Sequence, residues 1–231
     1  MWLPKEWLAC WRALRAGKRL VRMTHGSLSP LYLKCQSPFK KWLVGPIERW
    51  CLRRCSKIVA TCEAEAEWIR AYEPRVKSIE VTDIKRFFNL NPVNPVNPVK
   101  KDLHLLYLGR RHPLKGVEYL ETAVRQIEKN SAYSASSRLC VKYISSAFGE
   151  ELEKVWDWCD VLVLPTLSEN FGLVIAEALE RGKRVITTDG APAWGGGNTY
   201  GGRLVYLRGY RDGTSDERIS LLKTAIENIA K

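Results

Sequence analysis

The sequence has no long apolar segment and few of the residues that build metal centres. No stretch of its 231 residues approaches the roughly 18 consecutive apolar residues of a membrane span. Lys, Glu and Arg interrupt the opening segment before an apolar core can form, which argues against a secretory signal and favours the cytosol. With three histidines and no C-x-x-C or D-x-D spacing, we expect neither a bound metal nor a cofactor.

The cysteines do not form a disulfide pattern. There are seven, an odd number, and they are scattered along the chain, which favours reduced thiols used as small apolar residues. Cys51, Cys55 and Cys62 are close in sequence, but no histidine accompanies them. Helical packing therefore explains these three better than a zinc site.

Positive charge is concentrated near the amino terminus. Residues 1–58 carry thirteen Lys or Arg and two acids, Glu6 and Glu48, a balance of +11 in a chain of net charge +12. KKWLVGPIERWCLRRC is typical of a short basic helix that begins at Pro46. The same segment holds five tryptophans: Trp2, Trp7, Trp11, Trp42 and Trp50. Basic and aromatic residues together suggest an anionic membrane or nucleic acid as partner, and the tryptophans favour the membrane. The alternative, aromatics in the core beneath a solvated charged face, stays open.

A repeat divides the chain. Residues 91–99 read NPVNPVNPV, and a proline at every third position forbids both a helix and a sheet interior, so we expect an extended linker. It would separate a first lobe, residues 1–90, from a second lobe, residues 100–212, followed by a closing amphipathic helix within residues 213–231.

Strand and helix patterns alternate in both lobes. In the first lobe we expect strands at residues 20–24, 57–60 and 78–82 and a helix at residues 63–72. In the second we expect strands at residues 103–108, 139–144, 160–165 and 185–188, and helices at residues 117–128, 150–158 and 172–179. This alternation predicts an α/β fold with parallel sheets covered by helices on both faces.

The segment SENFGLVIAE lies where the strand at residues 160–165 gives way to a helix. It places two carboxylates, Glu169 and Glu177, eight positions apart around Phe171 and Gly172. A helix that begins just beyond a strand presents free backbone N–H groups and suits an anion. The acids alone would also be explained by a favourable interaction with the helix dipole, without a ligand.

A second cationic turn is expected at the same edge of the sheet. Residues 109–116, GRRHPLKG, follow the first strand of the second lobe and contain Arg110 and Lys115. Since parallel strands share one carboxyl edge, these cations and the amides near Phe171 and Gly172 could bind a diphosphate together. Taken singly, Arg110 or Lys115 would be explained as a charged side chain in a solvated loop.

These two motifs resemble those of glycosyltransferase family 4. Gly109-Arg110 with Lys115-Gly116 is similar to the G-R-x-x-x-x-K-G turn of that family, and the segment from Glu169 to Glu177 is similar to its E-x-F-G-x-x-x-x-E signature. The resemblance implies the GT-B fold, with two Rossmann-like lobes, and retaining glycosyl transfer. Here the amino-terminal lobe would be incomplete and the carboxyl-terminal lobe compact.

The resemblance also implies residue roles. Arg110 and Lys115 would hold the donor diphosphate, Glu169 would contact the transferred sugar, and Glu177 would bind the ribose hydroxyls. Amides at the helix mouth complete the substrate-binding set, which is Arg110, Lys115, Glu169, Asn170, Phe171, Gly172, Leu173 and Glu177. The implied catalytic set is Glu169, Lys115, Arg110 and His25.

Two further segments are similar to family features. Met23-Thr-His-Gly26 resembles a strand-end His-Gly pair of the acceptor-side lobe, so His25 would face the donor sugar, although a capping or core role is an equal alternative. Residues 190–195, GAPAWG, resemble a loop of bacterial polysaccharide and lipopolysaccharide enzymes, to which no role is assigned. Otherwise this segment is a surface turn.

The implied reaction moves a sugar from a UDP- or GDP-sugar to a hydroxyl of a glycan or lipid-linked glycan. The anomeric configuration would be retained and no metal required. The enzyme would act in the cytoplasm, peripherally on the inner face of the cell membrane, in polysaccharide or lipopolysaccharide synthesis.

The chain departs from the family pattern in two places. Relative to that pattern, we expect the opening strands of the acceptor lobe to be absent and residues 130–155 to hold one strand where the family usually has two. A partner chain or self-association would cover the sheet edge that this leaves. Two alternatives are therefore a truncated, non-catalytic remnant that binds nucleotide or a partner subunit, and a basic module that binds membrane or nucleic acid.

Overall fold

Two parallel β-sheets, one in each of two units, form the frame of the chain. The computed structural model describes residues 3–90, 102–129, 138–197 and 199–230. The units are Met1–Ile84 and Lys85–Lys231. The expected linker at residues 91–99 lies outside the described residues.

The boundary falls six residues before the expected limit at residue 90. Two hydrogen bonds explain why the intervening residues belong to the second unit. Lys85 Nζ donates to the carbonyl of Ala193 at 2.9 Å, and the backbone N–H of Asn89 donates to Glu180 Oε1 at 3.2 Å. A 3₁₀ turn, Ile84–Phe87, lies across the boundary.

The first unit has a three-stranded parallel sheet in the order β1-β2-β3. Its strands are β1 (Val21–Met23), β2 (Lys57–Ala60) and β3 (Ile79–Val81), and its helices are α1 (Pro4–Arg15), α2 (Pro30–Cys35), α3 (Pro38–Arg54) and α4 (Glu63–Tyr72). Apolar side chains of β2 alternate towards the core, where Ile58 packs with Leu52 of α3 and Ile69 of α4. Burial of these residues fixes the helices against the sheet.

The start of α3 differs from the prediction. The helix begins at Pro38, and Pro46 lies inside it. Pro38 occupies the first helical position, where its missing N–H costs nothing. An internal proline costs about 3 kcal/mol. Buried residues on both sides of Pro46, Val44 before it and Cys51 and Leu52 after it, hold the helix together across that position.

The second unit has a five-stranded parallel sheet in the order β5-β4-β6-β7-β8. Its strands are β4 (Asp102–Leu108), β5 (Arg138–Ile144), β6 (Val161–Leu164), β7 (Arg184–Thr188) and β8 (Leu204–Leu207). Its helices are α5 (Val117–Glu128), α6 (Gly149–Trp158), α7 (Leu173–Glu180) and α8 (Ser215–Ile229). The prediction of an α/β fold is confirmed, but β8 was missed. Between residues 130 and 155, the described part of the chain contains one strand, β5.

Strand order creates a crevice beside β4. The chain passes from β4 to β5 on one side and then returns to β6 on the other, so β4 lies at a topological switch point. Loops that follow the strands on either side of such a point diverge and leave room for a ligand. The loops after β4 and β6 carry the two motifs found in the sequence.

The closing helix α8 belongs to the second unit, where it packs against α5. Thr214 and Glu217 form a capping box at its start, with the Glu217 N–H donating to Thr214 Oγ1 at 3.3 Å. Arg218 Nη1 donates to Tyr119 Oη of α5 at 2.9 Å. Among the described residues, we find no helix with the length and apolar character to cross a bilayer.

Candidate functional site

The loops after β4 and β6 touch through their backbones. Gly116 ends the turn after β4 with φ 61°, and a Cβ at this position would lie 2.1 Å from the Pro165 carbonyl oxygen. The carbonyl of Leu114 accepts hydrogen bonds from the Leu167 N–H at 2.8 Å and from Thr166 Oγ1 at 3.1 Å. Only glycine allows this approach, so the two motif loops form one rigid surface.

This approach brings together Lys115 and Glu169. Lys115 ends a 3₁₀ turn, Pro113–Lys115, and its Nζ lies 2.5 Å from Glu169 Oε2. The two side chains are 20% and 21% exposed, so the ion pair is largely buried but remains accessible to solvent. Glu169 Oε1 also accepts the N–H of Asn170 at 3.1 Å. An anion that entered the crevice would compete with Glu169 for the Lys115 ammonium.

The mouth of α7 lies next to Glu169. Gly172 is its N-cap, has φ 72°, and a Cβ there would lie 3.3 Å from Glu169 Cγ. The helix starts at Leu173, one residue later than predicted, and Leu173 is exposed. The N-cap residue, a glycine, makes no side-chain hydrogen bond to the helix start, and the Ile175 N–H donates to the Gly172 carbonyl at 2.9 Å. The amides of Leu173 and Val174 are therefore the ones that would face an anion at this helix start.

Phe171 packs against Trp194, a residue to which the sequence motifs assign no role. Trp194, which is buried, donates its indole N–H to the carbonyl of Phe171 at 2.5 Å. The Trp194 and Phe171 rings are 5.2 Å apart, and Phe88 packs on Phe171 at 6.2 Å. The loop of residues 190–195 therefore supports the helix mouth, and it is not a surface turn.

Gly190 ties the same loop to Glu169. Its carbonyl accepts the N–H of Glu169 at 2.8 Å, and a Cβ at Gly190 would lie 2.1 Å from the Thr166 carbonyl oxygen. Thr188 Oγ1 donates to the Thr166 carbonyl. The loops after β4, β6 and β7 are thus joined at the carboxyl edge of the sheet.

The two arginines of the β4 turn have different surroundings. Arg111 Nη2 pairs with Glu121 Oε1 at 2.6 Å, and its guanidinium lies 5.4 Å from the centre of the Tyr143 ring. The Arg110 side chain is exposed, while its carbonyl accepts the Tyr107 hydroxyl at 2.9 Å. The pKa of Tyr107 is raised to about 12, first by burial and second by the negative charge of Glu169. Tyr107 therefore lies close enough to that carboxylate for the two to interact electrostatically.

Glu177 lies within α7 and is half-buried. Burial raises the pKa of its carboxyl group, and the charge of Arg181 opposes that shift. The Arg181 Nη1 atom donates to the Glu177 carbonyl at 3.4 Å. The carboxylate of Glu177 thus stands on the helix that begins at Leu173, about one turn from its mouth.

His25 belongs to the first unit. It follows β1, its side chain is exposed, and its φ of 49° lies in the left-handed region. Histidine enters this region more readily than most residues, but the conformation still needs support from its neighbours.

The basic, aromatic segment has two kinds of tryptophan. Trp7 is packed against the core and donates its indole N–H to buried Glu48 at 2.9 Å. Trp42 is 74% exposed, and its ring lies 6.3 Å from that of Phe39. Phe39, Trp42, Leu43 and Ile47 form one exposed apolar stripe, the α3 outer face, opposite the buried residues of the helix. Trp2 lies outside the described residues.

Three of the four buried cysteines have a raised thiol pKa. Burial is the first cause at Cys51, Cys55 and Cys159, whose values rise to about 12, about 11 and about 12. Within the described residues, no group of three or more His, Cys, Asp or Glu side chains could hold a metal ion.

Two domain families match the sequence in chain order. The glycosyl transferase 4-like domain matches residues 2–82, and the glycosyl transferases group 1 domain matches residues 102–206. An uncharacterized glycosyltransferase of Methanocaldococcus jannaschii is 29% identical, over 36% of this chain and 26% of that protein.

Solved structures are similar in fold. Sucrose-phosphate synthase from Thermosynechococcus elongatus superposes with a TM-score of 0.63 at 16% identity, covering 97% of this chain and 63% of that one. The Anabaena protein HepE in complex with UDP gives a TM-score of 0.59 at 17% identity, covering 96% and 66%. This chain therefore spans less than two thirds of either solved chain and about a quarter of the curated relative.

Proposed function

Because the glycosyl transferase 4-like domain and the glycosyl transferases group 1 domain match this chain in that order, we propose that it transfers a sugar from a nucleoside diphosphate sugar. The acceptor would be a hydroxyl of a glycan or lipid-linked glycan, and the anomeric configuration would be retained. The observation that carries this proposal is the contact between Lys115 and Glu169 beside the uncapped start of α7. The family resemblance implies that Lys115 holds the donor diphosphate and that Glu169, 54 positions later in the sequence, contacts the transferred sugar.

The donor diphosphate would replace Glu169 as the partner of Lys115. When the bond between the anomeric carbon and the phosphate oxygen breaks, negative charge gathers on the departing diphosphate. Lys115, the exposed Arg110 side chain and the amides at Gly172 and Leu173 would receive that charge without a metal ion. The released Glu169 carboxylate would then accept hydrogen bonds from the transferred sugar.

The remaining predicted residues have separate roles in this proposal. Glu177 binds the ribose hydroxyls, and its carboxylate must be ionised to do so. Because burial raises the pKa of this carboxyl group, protonation at acid pH should weaken the binding. Asn170 and Phe171 contribute backbone amides, and His25 of the first unit contacts a sugar. The acceptor proton passes to the leaving diphosphate, so no side chain serves as general base.

Titration calorimetry tests the donor site directly. We expect UDP or GDP to bind with micromolar to millimolar affinity and uridine or guanosine to bind far more weakly, since the proposed contacts are to phosphate. The HepE complex with UDP supports a uridine donor as the first choice. Absence of binding by both diphosphates at millimolar concentration would rule out the proposed donor site.

Turnover separates an enzyme from a nucleotide-binding remnant. Release of nucleoside diphosphate from UDP- and GDP-sugars should rise when a glycan or lipid-linked acceptor is added, and chelation of divalent ions should leave the rate unchanged. Diphosphate binding without release in any acceptor mixture would favour the remnant.

The α3 outer face supports a second partner, an anionic membrane on the cytoplasmic side. Its exposed Trp42 and Phe39 would enter the headgroup region while Lys40 and Lys41, in the first turns of the helix, pair with lipid phosphates. The protein should sediment with vesicles of phosphatidylglycerol and phosphatidylcholine and much less with phosphatidylcholine alone. Trp42→Ala should reduce binding several-fold, and Phe148→Ala, at an exposed aromatic of the second unit, should not.

A further inference from the structure

A single buried carboxylate, that of Glu65, accepts hydrogen bonds from residues at the ends of two strands in the first unit. Glu65, in the first turn of α4, is 1% exposed and accepts four hydrogen bonds. Oε1 accepts from Thr24 Oγ1 at 2.6 Å and from the Gly26 N–H at 2.7 Å. Oε2 accepts from the N–H and from the hydroxyl of Thr61, both at 2.8 Å.

The four donors come from the carboxyl edge of the sheet. Thr24 and Gly26 follow β1, and Thr61 follows β2, which pairs with β1 in parallel register. A carboxylate buried among neutral donors is stable only when its lone pairs are satisfied, and four donors satisfy both oxygens. Glu65 therefore fixes the distance between two neighbouring strand ends.

His25 lies between the two residues that Glu65 Oε1 holds. Its left-handed backbone, φ 49°, is strained for a residue with a Cβ, and contacts on either side must stabilise it. The Thr24 hydroxyl and the Gly26 N–H provide such contacts, while the His25 side chain itself is exposed. Glu65 thus holds the backbone conformation that turns the imidazole to solvent.

We propose that Glu65 is a positioning residue for His25. The carboxylate clamps the turn Thr24–Gly26 so that the imidazole is held ready for its ligand before the ligand binds. This inference rests on the proposed function for the nature of that ligand, a sugar, but the clamp itself is a property of the first unit.

Glu65→Gln tests the clamp with little change in shape. The amide keeps one acceptor oxygen and turns an NH₂ group towards two of the four donors. A threonine hydroxyl can rotate to accept from this group, whereas the backbone N–H of Gly26 or Thr61 cannot. One buried N–H, that of Gly26 or that of Thr61, therefore loses its partner, and the two strand ends that Glu65 joins should separate locally.

The matched control is Glu73→Gln. Glu73 is also fully buried and lies at the other end of α4, where it accepts from the N–H and Nε of Arg75 at 3.2 and 3.0 Å. Glu73→Gln should lower the stability of the first unit without changing the environment of His25. Thr24→Val, which removes one donor to Glu65, gives a milder second variant in case Glu65→Gln does not fold.

Two measurements need no enzyme activity. In Glu65→Gln, amide hydrogen exchange should accelerate at least tenfold at Gly26 or at Thr61, whichever N–H loses its acceptor, and the imidazole resonances of His25, assigned with His25→Ala, should shift. Thr24→Val should change both in the same direction by less, and Glu73→Gln should change neither. Unchanged exchange and resonances in both Glu65→Gln and Thr24→Val would overturn the proposal.

A double-mutant cycle connects the clamp to turnover. We expect Glu65→Gln to lower kcat about tenfold with the donor KM nearly unchanged, and to lower it no further when His25 is already alanine. Equal, additive losses in both backgrounds would show that Glu65 acts on stability and would overturn its positioning role. If His25→Ala leaves kcat unchanged while the exchange and resonance changes are seen, the sugar contact of His25 fails and the clamp stands.

Discussion

Replacing Lys115 with alanine should separate catalysis from stability. The Lys115 and Glu169 side chains are 20% and 21% exposed, so their pair lies between solvated ion pairs, which contribute up to about 1 kcal/mol, and fully buried ones, whose breaking costs about 3–5 kcal/mol. Its loss should cost about 1–3 kcal/mol and lower the melting temperature by several degrees, with the protein still folded. If Lys115 receives charge from the departing diphosphate, its removal should lower kcat by about 10²–10³-fold, on the order of 3–4 kcal/mol of transition-state stabilisation.

The assay is release of nucleoside diphosphate at saturating donor, with calorimetry of the diphosphate in parallel. Arg111→Ala is the matched control, because Arg111 stands in the same turn but pairs with Glu121 at 2.6 Å, away from the crevice. We expect the control to keep the wild-type rate within a factor of two or so. Arg110→Ala, at the neighbouring exposed cation, should lower both affinity and rate.

Two results would refute this reasoning. A Lys115→Ala protein that keeps its full rate would show that the ammonium does not face the transferred group. Equal losses in Lys115→Ala and Arg111→Ala would mean that the turn contributes only general positive charge, in which case raising the salt concentration should abolish the effect of both substitutions.

Three further predictions follow from other contacts. Trp194→Phe keeps an aromatic ring but loses the N–H that holds the Phe171 carbonyl, so diphosphate affinity measured by calorimetry should fall about fivefold or more, in keeping with one hydrogen bond of about 1 kcal/mol. Iodoacetamide should modify exposed Cys35 in the native protein and leave Cys159, whose pKa burial raises to about 12, until denaturant is added, as peptide mass spectrometry would reveal. Hydrogen bonds from the N-cap residue of α8 lower the pKa of Glu217, so its stabilising effect is present above the unfolded-state pKa of about 4.3 and is lost as the pH falls through the lower folded-state value. The difference in melting temperature between wild type and Glu217→Gln should therefore shrink in acid.

Much of the second unit could be predicted because its strands are short, continuous apolar runs. The run at Val161–Leu164 is buried at every position, and its limits agree with the sequence pattern to within a residue. β8 was missed because Leu204–Leu207 is only four residues long and follows a glycine-rich stretch without a clear period.

In the site, the sequence predicted the partners but not their support. Lys115 and Glu169 were assigned to one crevice on their motif spacing, and the structure brings them into contact. Trp194 escaped assignment since a single tryptophan in a Gly-Ala-Pro loop carries no periodic signal, and its role depends on a hydrogen bond to a residue 23 positions earlier. The position of Pro46 was misjudged because burial on both sides of a proline is a tertiary effect.

The glycines at 116 and 190 have a consequence for substrate choice. At both positions a Cβ would lie 2.1 Å from a carbonyl oxygen of the loop after β6. Backbone contacts, and not side chains, therefore form the frame around the crevice. Side chains of those loops can change in evolution or by design while this main-chain frame stays in place. Enzymes with new donor preferences should therefore be obtainable by varying side chains of these loops, provided that both glycines are kept.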